Sequence, residues 1–195
     1  LSQLNSSSVQ SKLKAAGINT NSKQYKAAVK QMMSAGNGAM YGNIQGIKNL
    51  MSHYDKDGDY INPVNGLSGL LVTDENESSR KRIISIPDSS KEEMYELTKK
   101  EFLRENGVHN GDTTKRTDVY NNLYRKMSKK DRLAAGYTLE KYERIYRQAF
   151  YDAAKKADPN WEIGKPIKDG ALDSVTRELA ESGKSPAQAT LDTKI

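Results

Sequence analysis

The chain contains no cysteine. Disulfides, thiolate nucleophiles and cysteine-bound zinc are therefore excluded. No apolar run approaches the roughly 20 residues of a membrane-spanning helix, so no membrane span is expected. The first residues, Leu1-Ser2-Gln3-Leu4-Asn5-Ser6-Ser7-Ser8, lack the basic and apolar regions of a secretory signal. A cytoplasmic protein and one exported without a cleavable signal peptide both fit. Two histidines leave little material for imidazole catalysis. No glycine-rich phosphate loop follows a strand. Large apolar side chains are scarce as well: hydrophobic residues make up 35% of the chain and the mean hydropathy is -0.83. A core can form on 195 residues, but a thin one. Two phenylalanines stand against eleven tyrosines, so the core's edges are expected to reach water through phenol hydroxyls.

Charge is abundant instead. The chain has 31 Lys and Arg against 25 Asp and Glu, a net charge of +6, and a pI near 9.3. The two signs are interleaved, which reads as a solvated surface; a basic face for nucleic acid is the alternative. Arg80-Lys81-Arg82, Lys115-Arg116, Arg125-Lys126 and Lys129-Lys130 are the basic clusters, with Tyr120 and Tyr124 near enough to stack bases. Those tyrosines also share a helical stripe with Val119 and Leu123, which points to core packing.

Periodicity predicts a mainly α fold: a single-domain multi-helix bundle with a small β-hairpin. Residues 1–8 read as a flexible segment, 9–167 as the helical domain and 168–195 as a C-terminal extension. Helices are expected near 11–16, 22–34, 43–54, 91–106, 114–127, 129–135, 138–157 and 172–181. Tyr25, Val29, Met32 and Met33 should turn inward on the second. Ser90-Lys91-Glu92-Glu93 has the form of a capping box. Gly17, Gly36-Asn37-Gly38, Gly107 and Gly136 read as helix stops. Leu70-Leu71-Val72-Thr73 and Arg82-Ile83-Ile84-Ser85-Ile86 are short and aliphatic around a polar stretch, which predicts the hairpin at about 70–86. On the longest helix, Glu140 with Arg144 and Glu143 with Arg147 have the favourable four-apart order. Trp161 should fold back on the core.

One stretch has the spacing of a cation site. In Asp55-Lys56-Asp57-Gly58-Asp59-Tyr60-Ile61, carboxylates alternate around a glycine, and an aliphatic residue follows. Closely spaced aspartates supply the oxygens that a hard cation requires. With its preceding helix, the stretch resembles the first half of an EF-hand loop. The resemblance implies calcium, with Asp55, Asp57 and Asp59 as side-chain ligands. Tyr60 stands where that pattern has its turn glycine, and an ungapped count puts Gly66 at the closing ligand. A one-residue deletion makes Tyr60 the carbonyl donor, Ile61 the aliphatic position and Asn65 a neutral last ligand. Either Tyr60 or Ile61 would give the carbonyl. The competing reading is an acidic turn whose aspartates accept backbone amides. His53, just upstream, would suit a transition metal.

Glu101 and Glu105 lie on one line of the 91–106 helix. Paired carboxylates can perform acid–base hydrolysis, but no nucleophile–base pair or oxyanion motif accompanies them. Two solvated glutamates near a helix end is the alternative. More broadly, Ser11-Lys12-Leu13-Lys14-Ala15-Ala16-Gly17-Ile18-Asn19-Thr20-Asn21, Tyr54 to Asp59, and Thr98-Lys99-Lys100-Glu101-Phe102-Leu103-Arg104-Glu105-Asn106-Gly107 resemble an uncharacterised domain family of Gram-positive bacteria. That resemblance spans most of residues 9–167 and implies no activity. The resulting expectation is a non-catalytic bacterial protein with a degenerate EF-hand-like calcium loop. Its role would be structural or interactional, with a protein partner or self-assembly. A nucleic-acid-binding module and a hydrolase using Glu101 and Glu105 are the alternatives.

Overall fold

Side-chain oxygens start the first three helices. A computed structural model describes residues 6–36 and 43–183. Ser6 accepts from the Val9 amide and opens α1 (Ser7–Ala15). Ser22 accepts from Tyr25 and opens α2 (Lys23–Ser34). Asn43 accepts from Gly46 and opens α3 (Ile44–Met51). Each cap satisfies an amide that the first helical turn leaves free. Part of the expected Gly36-Asn37-Gly38 break and all of residues 184–195 lie outside the described residues.

The chain divides into two compact units, Leu1–Thr73 and Asp74–Ile195. In the first, Leu13, Ile18, Tyr25 and Ile47 form a buried cluster, with Val9, Ala16, Val29, Ile44 and Met51 packed on it. Gly17 takes φ +78°, a conformation that glycine adopts without a Cβ clash, and the turn returns Ile18 to the cluster. Met33 does not turn inward as expected; it is exposed, while Met32 is buried. Gln24 joins α2 to the end of α3, its amide nitrogen donating to the carbonyls of Met51 and Tyr54, both at 2.9 Å.

The second unit contains α4 (Glu77–Arg80), α5 (Asp88–Leu103), α6 (Asp118–Asn122), α7 (Lys129–Ala157) and α8 (Arg177–Ser182). α5 packs along α7, with α6 beside α5 and with α4 and α8 on α7. Their shared core is aromatic. Phe150 lies 5.3 Å from Tyr95 and 5.8 Å from Phe102, centroid to centroid, and Trp161 closes the row 6.2 Å from Phe102. Trp161 is buried, as expected, and its Nε1 donates to the Lys165 carbonyl at 2.9 Å.

The helical expectation holds for the described residues; the β-hairpin at about 70–86 does not, because they contain no strand there. Arg80, between the two aliphatic runs, is 1% exposed, and its guanidinium meets Glu140 at 3.0 Å and the Tyr137 ring. Thr138 then takes the backbone that a hairpin would pair. Its hydroxyl donates to the Arg82 carbonyl and accepts from the Ile84 amide, both at 3.0 Å. The segment is thus laid along α7 by one side chain.

Three further expectations change. The Ser90 capping box is not used: α5 starts three residues earlier, after Pro87, whose carbonyl accepts from the Ser90 and Lys91 amides. Gly136 does not stop a helix, since α7 runs through it and buries it. The helix expected over 114–127 is α only at Asp118–Asn122, followed by a 3-10 turn at Tyr124–Lys126. Beyond Leu103, α5 opens into a wide turn at Arg104–Val108, in which Gly107 has φ +121°. A Cβ there would stand 3.3 Å from the Cα of Pro166.

Candidate functional site

The acidic loop lies in the first unit, directly after α3. Asp55 shapes it: its Oδ1 accepts from the amides of Asp57 at 3.0 Å and Asp59 at 2.9 Å. Gly58 closes a tight turn on the Asp55 carbonyl at φ +83°, with its Cα so near the Lys23 carbonyl that a Cβ would lie 3.0 Å from that oxygen. The chain then runs back antiparallel, with an isolated bridge between Tyr54 and Tyr60 and the Ile61 amide donating to the His53 carbonyl at 2.8 Å. Each of Asp55, Asp57 and Asp59 offers a carboxylate oxygen within 4.8 Å of the others, so the three could hold a metal ion. Asp59 is buried, Asp55 half-buried and Asp57 exposed.

The remaining expected ligands serve the returning segment. Tyr60 packs edge-on against Tyr54, ring centroids 6.0 Å apart. Ile61 bridges to Ser68. Asn65 Oδ1 accepts from the Leu67 amide at 2.9 Å. His53 is exposed, and the cluster of potential ligands consists of the three aspartates. The positive-φ glycine is Gly58, not position 60, and no helix follows the loop before Glu77. Both features separate this turn from an EF-hand.

A second set of charged groups is buried in the other unit. Glu101 and Glu105 are 3% and 4% exposed, not solvated at a helix end. Arg147 of α7 lies between them: Nη2 bonds Glu101 Oε1, Nη1 reaches Glu105 Oε2 at 3.0 Å, and Nε reaches Glu143 at 3.2 Å. Arg116 clamps both oxygens of Glu105, at 2.8 and 2.7 Å. Glu101 Oε2 also accepts from the Val119 amide at 3.1 Å.

Environment separates the two carboxyls. Burial raises Glu101 above its usual range, against the partial opposition of the Val119 amide and the Arg147 charge. Burial also acts to raise Glu105, but the hydrogen bonds and charges of Arg116 and Arg147 together hold it below its usual range. A carboxyl lower in the folded than in the unfolded state adds stability that is present above the unfolded value, about 4.3. That stability is lost as pH falls through the folded value. The stability gap between wild type and Glu105→Gln should therefore close in acid, followed by urea unfolding from neutral pH downward. A gap that stays constant through about pH 3 would refute the assignment. Glu101 has the opposite sign, so Glu101→Gln should not show that closing.

Sequence spacing found Glu101 and Glu105, and the structure gives them different surroundings. Glu105 is sealed by two arginines, whereas Glu101 lines a cavity of about 260 Å³ with Glu140, Glu143, Arg144, Arg147, Arg116, Val119 and Tyr120. The Glu143–Arg147 pair forms as expected, but Glu140 turns to Arg80 instead of Arg144. For the nucleic-acid alternative, Tyr124 is buried, Arg80 is buried, and Arg116 is committed to Glu105. No helix among the described residues is long and apolar enough to cross a membrane.

Residues 18–195 match the model of a family described as a domain of unknown function, DUF3879. No curated protein and no solved structure matches the chain.

Proposed function

We propose that this chain, which belongs to the DUF3879 family of domains of unknown function, is a non-catalytic protein whose Asp55–Asp59 turn binds calcium in a structural or interaction role. One observation carries the reading: three carboxylate oxygens gathered within 4.8 Å. Oxygens that share a calcium ion lie about 2.3–2.6 Å from it, so they fall within roughly 5 Å of one another. The Asp57 and Asp59 amides bonded to Asp55 hold the turn that carries all three side chains. A pre-shaped site loses less entropy when the ion arrives.

Oxygen ligands and three negative charges favour a hard cation over a soft one. In this reading the Tyr60 or Ile61 carbonyl and Asn65 supply further oxygens. The set has no bidentate glutamate, which places affinity on the micromolar-to-millimolar side of the known range. The ion would tie the exit of α3 to the returning segment and, through Gly58 against Lys23, to the start of α2. Such a tie stiffens one surface of the first unit, which suits a protein partner or self-assembly.

Calcium at a hundred times its dissociation constant should stabilise the binding unit by about 2.7 kcal/mol. Thermal melts with calcium and with chelator test this. Asp57→Ala, at an exposed position, should fold normally and lose the response. No shift at millimolar calcium in the wild type would refute the reading, and a shift retained in Asp57→Ala would move the ion elsewhere.

A further inference from the structure

The two units carry their charge differently. In Leu1–Thr73 the basic residues are seven lysines, with no arginine, and the acidic residues are Asp55, Asp57 and Asp59 alone. That unit therefore holds a net charge of +4 out of the chain's +6. The second unit sets 24 basic residues against 22 acidic ones and pairs them across its helices, as Arg147 and Arg177 do.

α2 collects part of the excess. Lys23, Lys26 and Lys30 are exposed and lie three and four residues apart, so they share one helix face. They span about 10 Å of its axis. Tyr25, Ala28 and Met32 are buried on the other side. Met33, three residues beyond Lys30, continues the lysine line and is exposed as well. The acidic turn stands at the N-terminal end of α2, with Gly58 against the Lys23 carbonyl.

We propose that the lysine face of α2 docks the protein on an anionic lipid surface. Charge complementarity calls for a polyanion, and each lysine brought to an anionic membrane tightens binding about fivefold. Two features select lipid over nucleic acid. Met33 puts an apolar side chain on the lysine face, which a bilayer interface accepts and a phosphate backbone does not. The unit also has no arginine to read base edges, and the lysine face carries no aromatic ring to stack on a base. The acidic turn opposes the docking, because its carboxylates are the unit's only negative side chains. Calcium there, a step that rests on the reading proposed above, takes the unit from +4 to +6 and removes that opposition.

Cosedimentation of the full chain with phosphatidylcholine vesicles, with and without phosphatidylserine, tests the proposal. In chelator and at low ionic strength, the expected result is retention by the phosphatidylserine vesicles alone. Lys23→Gln combined with Lys26→Gln should weaken it about 25-fold, and Met33→Gln should weaken it too. Lys126→Gln combined with Lys130→Gln removes the same charge from exposed positions of the second unit and should leave retention unchanged. No retention by phosphatidylserine vesicles, or full retention of the Lys23 and Lys26 variant, overturns the docking surface. Tighter binding to duplex DNA or RNA than to the vesicles overturns the lipid assignment. Calcium should then tighten retention of the wild type more than that of Asp57→Ala. An equal gain refutes the part given to the turn and leaves the result in chelator standing.

Discussion

Replacing Arg147 by alanine should cost about 3–5 kcal/mol, because it leaves buried carboxylates without their cation. Glu101 and Glu105 expose 4% and 5% of their side chains, and both end on this one guanidinium. Glu105 keeps Arg116, so most of the loss falls on Glu101, which retains the Val119 amide. A buried carboxylate with one neutral donor either remains charged at high cost or takes up a proton. The defect should accordingly shrink when Glu101→Gln is added to Arg147→Ala, since the amide carries no charge. Urea unfolding of the single and double variants measures both effects. A single-variant loss below about 1 kcal/mol would show that the cluster behaves as an exposed ion pair.

Phe150→Ala should be comparably severe, at about 3–5 kcal/mol. Phe150 is fully buried and touches Tyr95 and Phe102 from the C-terminal half of α7. Each ring pair adds roughly 0.5–1.5 kcal/mol beyond area burial, and the deletion leaves a cavity between two helices that cannot close independently. Alanine is the best helix former, so the loss cannot come from helix propensity. Leu103→Ala provides the contrast: Leu103 is exposed on α5, and its change should stay within about 0.5 kcal/mol. If the two variants melt alike, α5 and α7 do not pack through this row of rings.

Local information in the sequence carried much of the fold. The apolar spacing over 22–34 marked α2 nearly to the residue, and the aspartate ladder at 55–59 does gather its carboxylates. What failed depended on distant partners. Two aliphatic runs around residues 74–79 look like a hairpin until Thr138, over fifty positions away, takes the backbone of one of them. Gly136 looks like a stop because its burial inside α7 cannot be read from its neighbours. The same holds for the second site. Glu101 could be noticed on one helix line with Glu105, but its partners, Arg147 and the Val119 amide, come from other elements. The diversion of Glu140 from Arg144 to Arg80 required knowing that Arg80 is inside.

The chain's single tryptophan has an optical consequence. Trp161 is buried in the second unit, against Phe102 and Tyr151, and the first unit has none. Its emission therefore reports the environment of residues 74–195, whereas tyrosine and far-ultraviolet signals draw on both units. Unfolding traces that coincide at all three wavelengths would mean that the units melt as one cooperative block; traces that separate would give each its own stability curve. An ion held at Asp55–Asp59 would then displace the tyrosine trace and leave the tryptophan trace still, unless the units are coupled.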